Sequence, residues 1–164
     1  LNRGRINSLW GWRISPITGK SSLHNGLDIG GNSEGTNVLG IGNGTVAAIV
    51  NATNKYRTSG KKTCGGNQVY INVQIAGVKY TVLYAHLLSI NVKVGDKVTS
   101  QTVIGRQGGG SGTRACETCS TGTHLHFGVS KGYYTSYSKF VSGNIDPPGY
   151  PKKGAWFNSR TQWF

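Results

Sequence analysis

Two histidines separated by one residue, His124 and His126, are the first candidates for chemistry in this sequence. They lie in an apolar run over residues 123–129, which predicts a β-strand. Side chains two residues apart in a strand point to the same face, so the two imidazoles would lie about 7 Å apart while Leu125 and Phe127 face a core. The spacing therefore predicts a pair of imidazoles on a rigid strand.

A second candidate pair is His24 and Asp28, four residues apart. In a fully extended chain their backbones would lie ~13 Å apart, which is too far for both side chains to bind one metal ion. Asn25 and Gly26 stand between them, and both residue types tolerate positive φ. We expect a bend there that brings the two side chains together. The fourth histidine, His86, lies near the end of another apolar run.

Four histidines and one carboxylate can form a hydrolytic zinc site. Two histidines and an aspartate give a three-ligand tetrahedral site with the fourth position left to water. The other two imidazoles could then take a proton from that water and donate to the developing oxyanion or leaving group. The His-Glu-x-x-His pattern of many metalloproteases is absent. Spacing alone does not decide which member of the His124 and His126 pair binds the metal.

The formal charge of +13 over 164 residues indicates a polyanionic neighbour, such as nucleic acid, an anionic membrane or a phosphate-rich cell wall. The cations occur in ones and twos without a nucleic-acid-binding signature, so we predict no nucleic-acid partner. No segment approaches the ~20 apolar residues that span a bilayer, so we predict no transmembrane segment. Because methionine is absent, we expect a processed product or an excised domain.

Three cysteines, Cys64, Cys116 and Cys119, leave an odd count. One disulfide in an oxidising compartment is the simplest interpretation, because a structural zinc cluster would need four cysteine or histidine ligands. A Cys116–Cys119 ring and a bridge from Cys64 to either partner both remain open.

Twenty-six glycines, four prolines and many short runs of Val, Ile, Thr and Tyr predict a single all-β domain with tight turns and little helix. Residues 51–66 and 106–123 are expected to be two long loops, and loops of this length are uncommon unless they rim a site. Residues 1–9 are expected to be a tail or a short edge, 10–150 the main domain and 151–164 an aromatic extension. The predicted strands cover residues 9–14, 38–41, 44–50, 69–75, 78–87, 92–98 and 103–105, and one short helix is expected within 134–141.

Three segments in this order resemble the lysostaphin-type, or LytM-type, zinc metallopeptidases, a family of peptidoglycan endopeptidases. They are His24-Asn25-Gly26-Leu27-Asp28, Tyr84-Ala85-His86-Leu87 and His124-Leu125-His126-Phe127. The likeness begins at Gly11-Trp12-Arg13, ends at Ile145-Asp146-Pro147 and covers about residues 10–150.

The resemblance implies one Zn²⁺ per chain on His24, Asp28 and His126, with His86 and His124 as the catalytic imidazoles. It also implies an antiparallel β-sheet core with a groove walled by the loops 51–66 and 106–123. It implies hydrolysis of peptide bonds in peptidoglycan stems or cross-bridges by a secreted or envelope-facing monomer, or by an antibacterial or phage-associated lysin. Anionic wall polymers are further expected partners. Many relatives have a tyrosine upstream of the first ligand, but none lies between Gly11 and His24, so that donor is absent or comes from elsewhere.

An alternative function is a non-catalytic wall-binding or amidase-activating module of the same fold. Such modules have lost metal ligands, whereas all five site residues are present in this sequence. We therefore expect an enzyme.

Overall fold

A computed structural model of the chain describes residues 4–110, 119–149, 153–154 and 156–157. Within these ranges the chain forms thirteen strands and two short helices. The elements are β1 (Gly4–Ser8), β2 (Gly11–Ile14), β3 (Ser21–His24), β4 (Leu27–Gly30), β5 (Asn37–Leu39), β6 (Gly44–Val50), α1 (Ala52–Ser59), β7 (Asn67–Ile75), β8 (Val78–Ile90), β9 (Lys97–Val98), β10 (Val103–Gln107), β11 (Leu125–Lys131), α2 (Tyr137–Ser142), β12 (Asn144–Ile145) and β13 (Trp156–Phe157).

Eleven of these strands form one sheet, in which every pairing is antiparallel, and β2 and β3 form a separate two-stranded sheet. The main order across the large sheet is β13-β1-β4-β11-β8-β7-β6-β9. Strand β10 pairs with both β8 and β5, and β12 pairs with β11. The predicted fold class, all-β with an antiparallel core and little helix, is confirmed.

The β7–β8 hairpin is the centre of the sheet, and its sequence explains its formation. Ala76 and Gly77 turn the chain with φ of 49° and 79°, as a two-residue type I′ turn requires. The alternating apolar residues predicted from sequence face the larger core, where the rings of Tyr84 and Phe127 pack with centroids 5.3 Å apart. Other buried members of this core are Ile6, Leu27, Ile29, Val38, Val46, Val69, Ile71, Val73, Val82, Leu87, Val98, Ile104, Leu125 and Val129.

A smaller apolar cluster covers the opposite face of the hairpin. Phe140 of α2 packs on Tyr70 with ring centroids 5.8 Å apart, and Leu83 and Ala85 complete the buried cluster. Because the centre of β7 and β8 is covered on both sides, residues 69–71 and 81–87 are buried without alternation. The helix predicted within 134–141 is present as α2.

Helix α1 lies inside the segment predicted as a loop, residues 51–66. The Asn51 side chain accepts a hydrogen bond from the Asn54 N–H at 2.9 Å, and Gly60 ends the helix with φ of 65°. Ala52 is the buried residue of this helix. The predicted loop therefore contains a capped surface helix that has no apolar stripe to reveal it.

Strands β5 and β6 are not neighbours, although sequence predicts two strands joined at residues 42–44. Strand β5 pairs with β10, and β6 pairs with β7 and β9. The segment 1–9, predicted to be a tail or a short edge, supplies β1. That strand lies between β4 and β13, and its Ile6 is fully buried. No helix in the described ranges is long and apolar enough to cross a membrane.

Candidate metal centre

His24 and Asp28 meet where the chain crosses from the small sheet to the large one. Strand β3 ends at His24 and β4 begins at Leu27. The bend between them is present, but neither Asn25 nor Gly26 has a positive φ, contrary to the prediction. Gly26 is needed for space instead, because a Cβ there would lie 2.5 Å from the Phe127 carbonyl oxygen and 2.7 Å from His126 Nε2.

His126 joins the pair through the register of β11 on β4, in which it lies directly opposite Asp28. Asp28 Oδ1 lies 3.0 Å from His24 Nε2 and 3.2 Å from His126 Nδ1. The two ring nitrogens are themselves 3.2 Å apart. These three residues, His24, Asp28 and His126, thus form a group that could hold a metal ion.

The chemistry of these three atoms fits a zinc ion. His24 Nδ1 lies 2.7 Å from the Leu9 carbonyl oxygen, which can only accept, so Nδ1 carries the hydrogen and Nε2 of the neutral ring presents its lone pair. Burial lowers the pKa of His126 to about 4, which keeps this ring neutral near pH 7. Zinc bonds of about 2.0–2.1 Å in tetrahedral geometry place ligand atoms roughly 3.3 Å apart, close to the observed 3.0–3.2 Å.

Asp28 carries the negative charge of the group. Burial alone would raise the pKa of its carboxyl, but interactions with the adjacent imidazoles of His126 and His24 lower it well below the ordinary value. Its second oxygen, Oδ2, accepts from Arg13 Nη2 at 3.1 Å. Oδ1 is thereby left facing the histidines.

Arg13 is a site residue to which sequence reasoning assigned no role. On the β2–β3 hairpin it lies opposite Ser22, two residues before His24, so Arg13 and His24 share one face. The signal in the sequence was the position of Arg13 in Gly11-Trp12-Arg13. The link from Arg13 to Asp28 becomes visible only once the register of the β2–β3 hairpin is known.

His86 and His124 stand beside this group with ring centroids 4.6 Å apart. His124 Nδ1 donates to the Gly122 carbonyl oxygen at 2.8 Å, so Nε2 carries the lone pair of the neutral ring. That Nε2 lies 3.5 Å from Asp28 Oδ1. The His86 ring centroid lies 6.0 Å from that of His126. All four histidines and Asp28 thus lie close together at one site.

The backbone at His86 is unusual. Strand β8 continues past His86 to Ile90, and a bulge interrupts its pairing with β7 between Tyr84 and Leu87. Within this bulge His86 has a φ of 59°. Such a conformation costs a residue with a side chain about 1–3 kcal/mol and is often found at functional sites. Regular strand alternation would direct His86 to the same face as the buried Tyr84. The bulge instead brings its imidazole into the cleft.

These side chains line one cleft of about 520 Å³. The two predicted walls each contribute a part, residues 63–65 and 119–121, and a disulfide between Cys64 and Cys119 joins them. Cys116 and the rest of residues 111–118 lie outside the described residues. A third wall, the β2–β3 turn at residues 15–18, was not predicted from sequence.

A tyrosine also lines the cleft, although none precedes His24 in the family position. Tyr137, at the start of α2, accepts a hydrogen bond at 2.9 Å from Asn25 Nδ2. Asn25 directly follows His24. The phenol therefore reaches the cleft from the opposite end of the sequence.

Residues 22–140 match the family described as Peptidase family M23. The chain belongs to this family. A protein named "Uncharacterized metalloprotease" from Buchnera aphidicola subsp. Baizongia pistaciae is 38% identical to this M23 chain over 130 residues. That alignment covers 79% of the chain but 29% of the Buchnera protein, so the chain spans less than a third of that relative's length.

Two solved structures show the same M23 fold. The catalytic domain of the antimicrobial peptidase lysostaphin from Staphylococcus simulans superposes with a TM-score of 0.64 at 27% identity, covering 88% of this chain and 89% of that one. A zinc-containing peptidase from Vibrio cholerae gives a TM-score of 0.57 at 30% identity, covering 77% of this chain and 33% of that one. The predicted resemblance to lysostaphin-type metallopeptidases is confirmed.

Proposed function

We propose that this M23 protein is a zinc-dependent endopeptidase that hydrolyses peptide bonds in the stems or cross-bridges of peptidoglycan. The observation that carries this proposal is the convergence of His24 Nε2, Asp28 Oδ1 and His126 Nδ1 within 3.0–3.2 Å of one another in the cleft. The similarity to lysostaphin, an antimicrobial peptidase, supports it.

His24, Asp28 and His126 are the proposed zinc ligands. Zinc bound there would lower the pKa of a water molecule to about 7 and polarise the carbonyl under attack. The protein contributes fixed orientation: the Leu9 carbonyl holds the tautomer of His24, and Arg13 holds the Asp28 carboxylate. Such contacts behind the ligands commonly govern metal affinity.

His124 and His86 are the proposed catalytic imidazoles. Nε2 of His124 lies 3.5 Å from Asp28 Oδ1 and carries the lone pair of the neutral ring, so it can take the proton of the attacking water. It can then pass that proton to the leaving amine, which restores the neutral ring. His86, whose ring centroid lies 4.6 Å from that of His124, is the proposed group that stabilises the negative charge developing on the carbonyl oxygen.

The cleft lining indicates the kind of peptide that would bind. Apart from the histidines, its charged side chains among the described residues are Arg13 and Asp28, which pair with each other. Small residues such as Ser22, Gly65 and Ala85 line much of the remainder. This lining suits a neutral peptide with small side chains. The overall charge of +13 suits attraction to an anionic wall outside the cell or at its envelope.

The decisive experiment compares the wild-type protein with His126→Ala. We expect about one zinc per wild-type chain by elemental analysis, and loss of turbidity when purified walls are added. Because changes behind the ligands already cost 10–100-fold, removing a ligand should lower metal affinity and activity by more than about 100-fold. Chelation should abolish wild-type activity and zinc should restore it.

The control is Arg106→Gln, which changes an exposed cation on β10. It should hydrolyse walls at the wild-type rate. Full lysis by His126→Ala would refute the metal mechanism. Stoichiometric zinc without hydrolysis of any wall would instead favour the binding-module alternative. Mass spectrometry of the released fragments would identify the bond that is cut.

A further inference from the structure

The Cys64–Cys119 disulfide joins two segments that are 55 residues apart in sequence and that both line the cleft. Each segment also makes a hydrogen bond to one of the two histidines that are not proposed metal ligands. These contacts indicate that the disulfide also helps to hold His86 and His124.

On the first side, the segment contacts the bulge at His86. Gly65, which directly follows Cys64, accepts a hydrogen bond from the His86 N–H at 2.9 Å. The His86 carbonyl accepts in turn from the Gly108 N–H at 2.9 Å. The unusual backbone of His86 is therefore held from both directions, and one of these contacts lies next to the disulfide.

On the second side, the segment fixes the ring of His124. Ser120, which directly follows Cys119, has its hydroxyl 2.6 Å from the Gly109 carbonyl oxygen and 3.0 Å from the Gly122 carbonyl oxygen. Gly122 is the residue whose carbonyl accepts from His124 Nδ1. The orientation of the imidazole thus depends on a short segment that begins at the disulfide.

The proposed metal ligands have separate supports. Leu9 and Arg13 hold His24 and Asp28, and the β4–β11 pairing places His126 opposite Asp28. None of these contacts involves the disulfide segments. Loss of the bond should therefore disturb the two catalytic imidazoles while the metal ligands keep their places.

We propose that the Cys64–Cys119 disulfide, together with Ser120, is a positioning element that sets the geometry of His86 and His124. This inference rests on the proposed function for its effect on rate. A misplacement of about 1 Å in a catalytic group can lower the rate about 100-fold. A disulfide that holds two such groups in position therefore affects the rate even though it touches no reacting atom.

The test combines two variants. Replacing both cysteines, Cys64→Ala with Cys119→Ala, should lower kcat by about 100-fold and change KM by less than about threefold, with zinc still at one per chain. Ser120→Ala, which leaves the disulfide intact, should lower kcat about tenfold. Ser89→Ala is the matched control: Ser89 lies near the far end of β8, its hydroxyl contacts Asn91 just beyond that strand, and its loss should leave kcat unchanged.

A second measurement does not depend on wall hydrolysis. With ¹⁵N-labelled histidine, the His124 Nδ1–H bonded to Gly122 and the His24 Nδ1–H bonded to Leu9 should both give slowly exchanging NMR signals in the wild type. In the double cysteine variant and in Ser120→Ala the His124 signal should weaken or vanish, while the His24 signal persists.

The outcomes separate the two proposals. An unchanged His124 signal, or wild-type kcat in the double variant, would overturn the positioning role. Loss of zinc together with kcat would also overturn it, because the bond would then act on the metal ligands. If the double variant does not fold, the Ser120→Ala results decide. A wild-type protein that hydrolyses no wall, with the expected NMR changes, would refute the proposed function and retain the positioning role.

Discussion

Among single residues, Asp28 contacts four other side chains of the site. Its Oδ1 lies within 3.0–3.5 Å of nitrogens on His24, His126 and His124, and its Oδ2 accepts from Arg13. A carboxylate that is shared in this way must be turned correctly to act as a ligand. Arg13 is the side chain that turns it.

Replacing Arg13 should weaken metal binding without removing a ligand. We expect Arg13→Gln to lower zinc affinity 10–100-fold, as is typical when a contact behind a ligand is lost. Arg13→Lys should fall between Gln and wild type, since an ammonium keeps the charge but not the planar guanidinium. Competition with a fluorescent zinc chelator measures the affinity. Wild-type affinity in Arg13→Gln would contradict the role assigned to Arg13.

The candidate site residues could be found in the sequence because they lie in short segments whose internal spacing is informative, whereas the choice of His126 over His124 as a ligand came from the family resemblance. His124 and His126 share a face by strand alternation, and His24 and Asp28 flank a short bend. The support of Asp28 by Arg13 could not be predicted in this way. It depends on which residue of β2 lies opposite which residue of β3, and the turn between them sets that register.

Among the elements, the crossing from β3 to β4 is tightly packed at Gly26. A Cβ on Gly26 would meet the Phe127 carbonyl and the His126 ring. We expect Gly26→Ala to lower the free energy of unfolding by about 1–3 kcal/mol, as overpacked substitutions do, and to reduce zinc content by displacing His126. Urea denaturation of the metal-free protein and elemental analysis measure the two effects.

Gly42→Ala is the matched control for this prediction. A Cβ at Gly42 would have no atom within 4 Å, and its φ is not positive. The variant should therefore be as stable as the wild type and bind zinc equally well. Equal stability of Gly26→Ala and Gly42→Ala would show that the crossing is less crowded than the structure indicates.

Elements with strong local signals could be predicted, and those that depend on distant partners could not. The β7–β8 hairpin combines alternating apolar residues with a two-residue turn, so its strands and their pairing were both predictable. Helix α1 has caps but one buried residue, and its polar composition is typical of a loop. Strand β5 was found, but its partner β10 lies more than sixty residues away, and apolar patterning does not specify that partner.

For the whole molecule, the buried ring of His126 makes the free energy of unfolding depend on pH. The pKa of His126 is about 4 in the folded protein, because burial disfavours the charged ring, against about 6.5 when unfolded. The unfolded chain therefore binds more protons between these pH values. The stability of the metal-free protein is complete above about pH 6.5 and should fall by roughly 3 kcal/mol as the pH is lowered to 4.

Asp28 also makes the folded protein less stable as the pH falls, at still lower pH, since folding lowers the pKa of its carboxyl. Urea denaturation of the metal-free protein at pH 7, 5.5 and 4 measures the dependence. His126→Gln, which cannot titrate in this range, should have a shallower pH profile. Equal unfolding free energies for the wild type at pH 7 and pH 4 would contradict the assignment.

The three candidate ligands come from two separate sheets: His24 from the small hairpin, and Asp28 and His126 from the large sheet. An ion bound by all three would link the β2–β3 hairpin to the large sheet. Docking of the hairpin then raises the affinity for the ion, and ion binding favours docking by the same free energy, because the two equilibria are thermodynamically linked. A change at the hairpin tip that favours the undocked form would weaken ion binding from a distance, with every ligand still present.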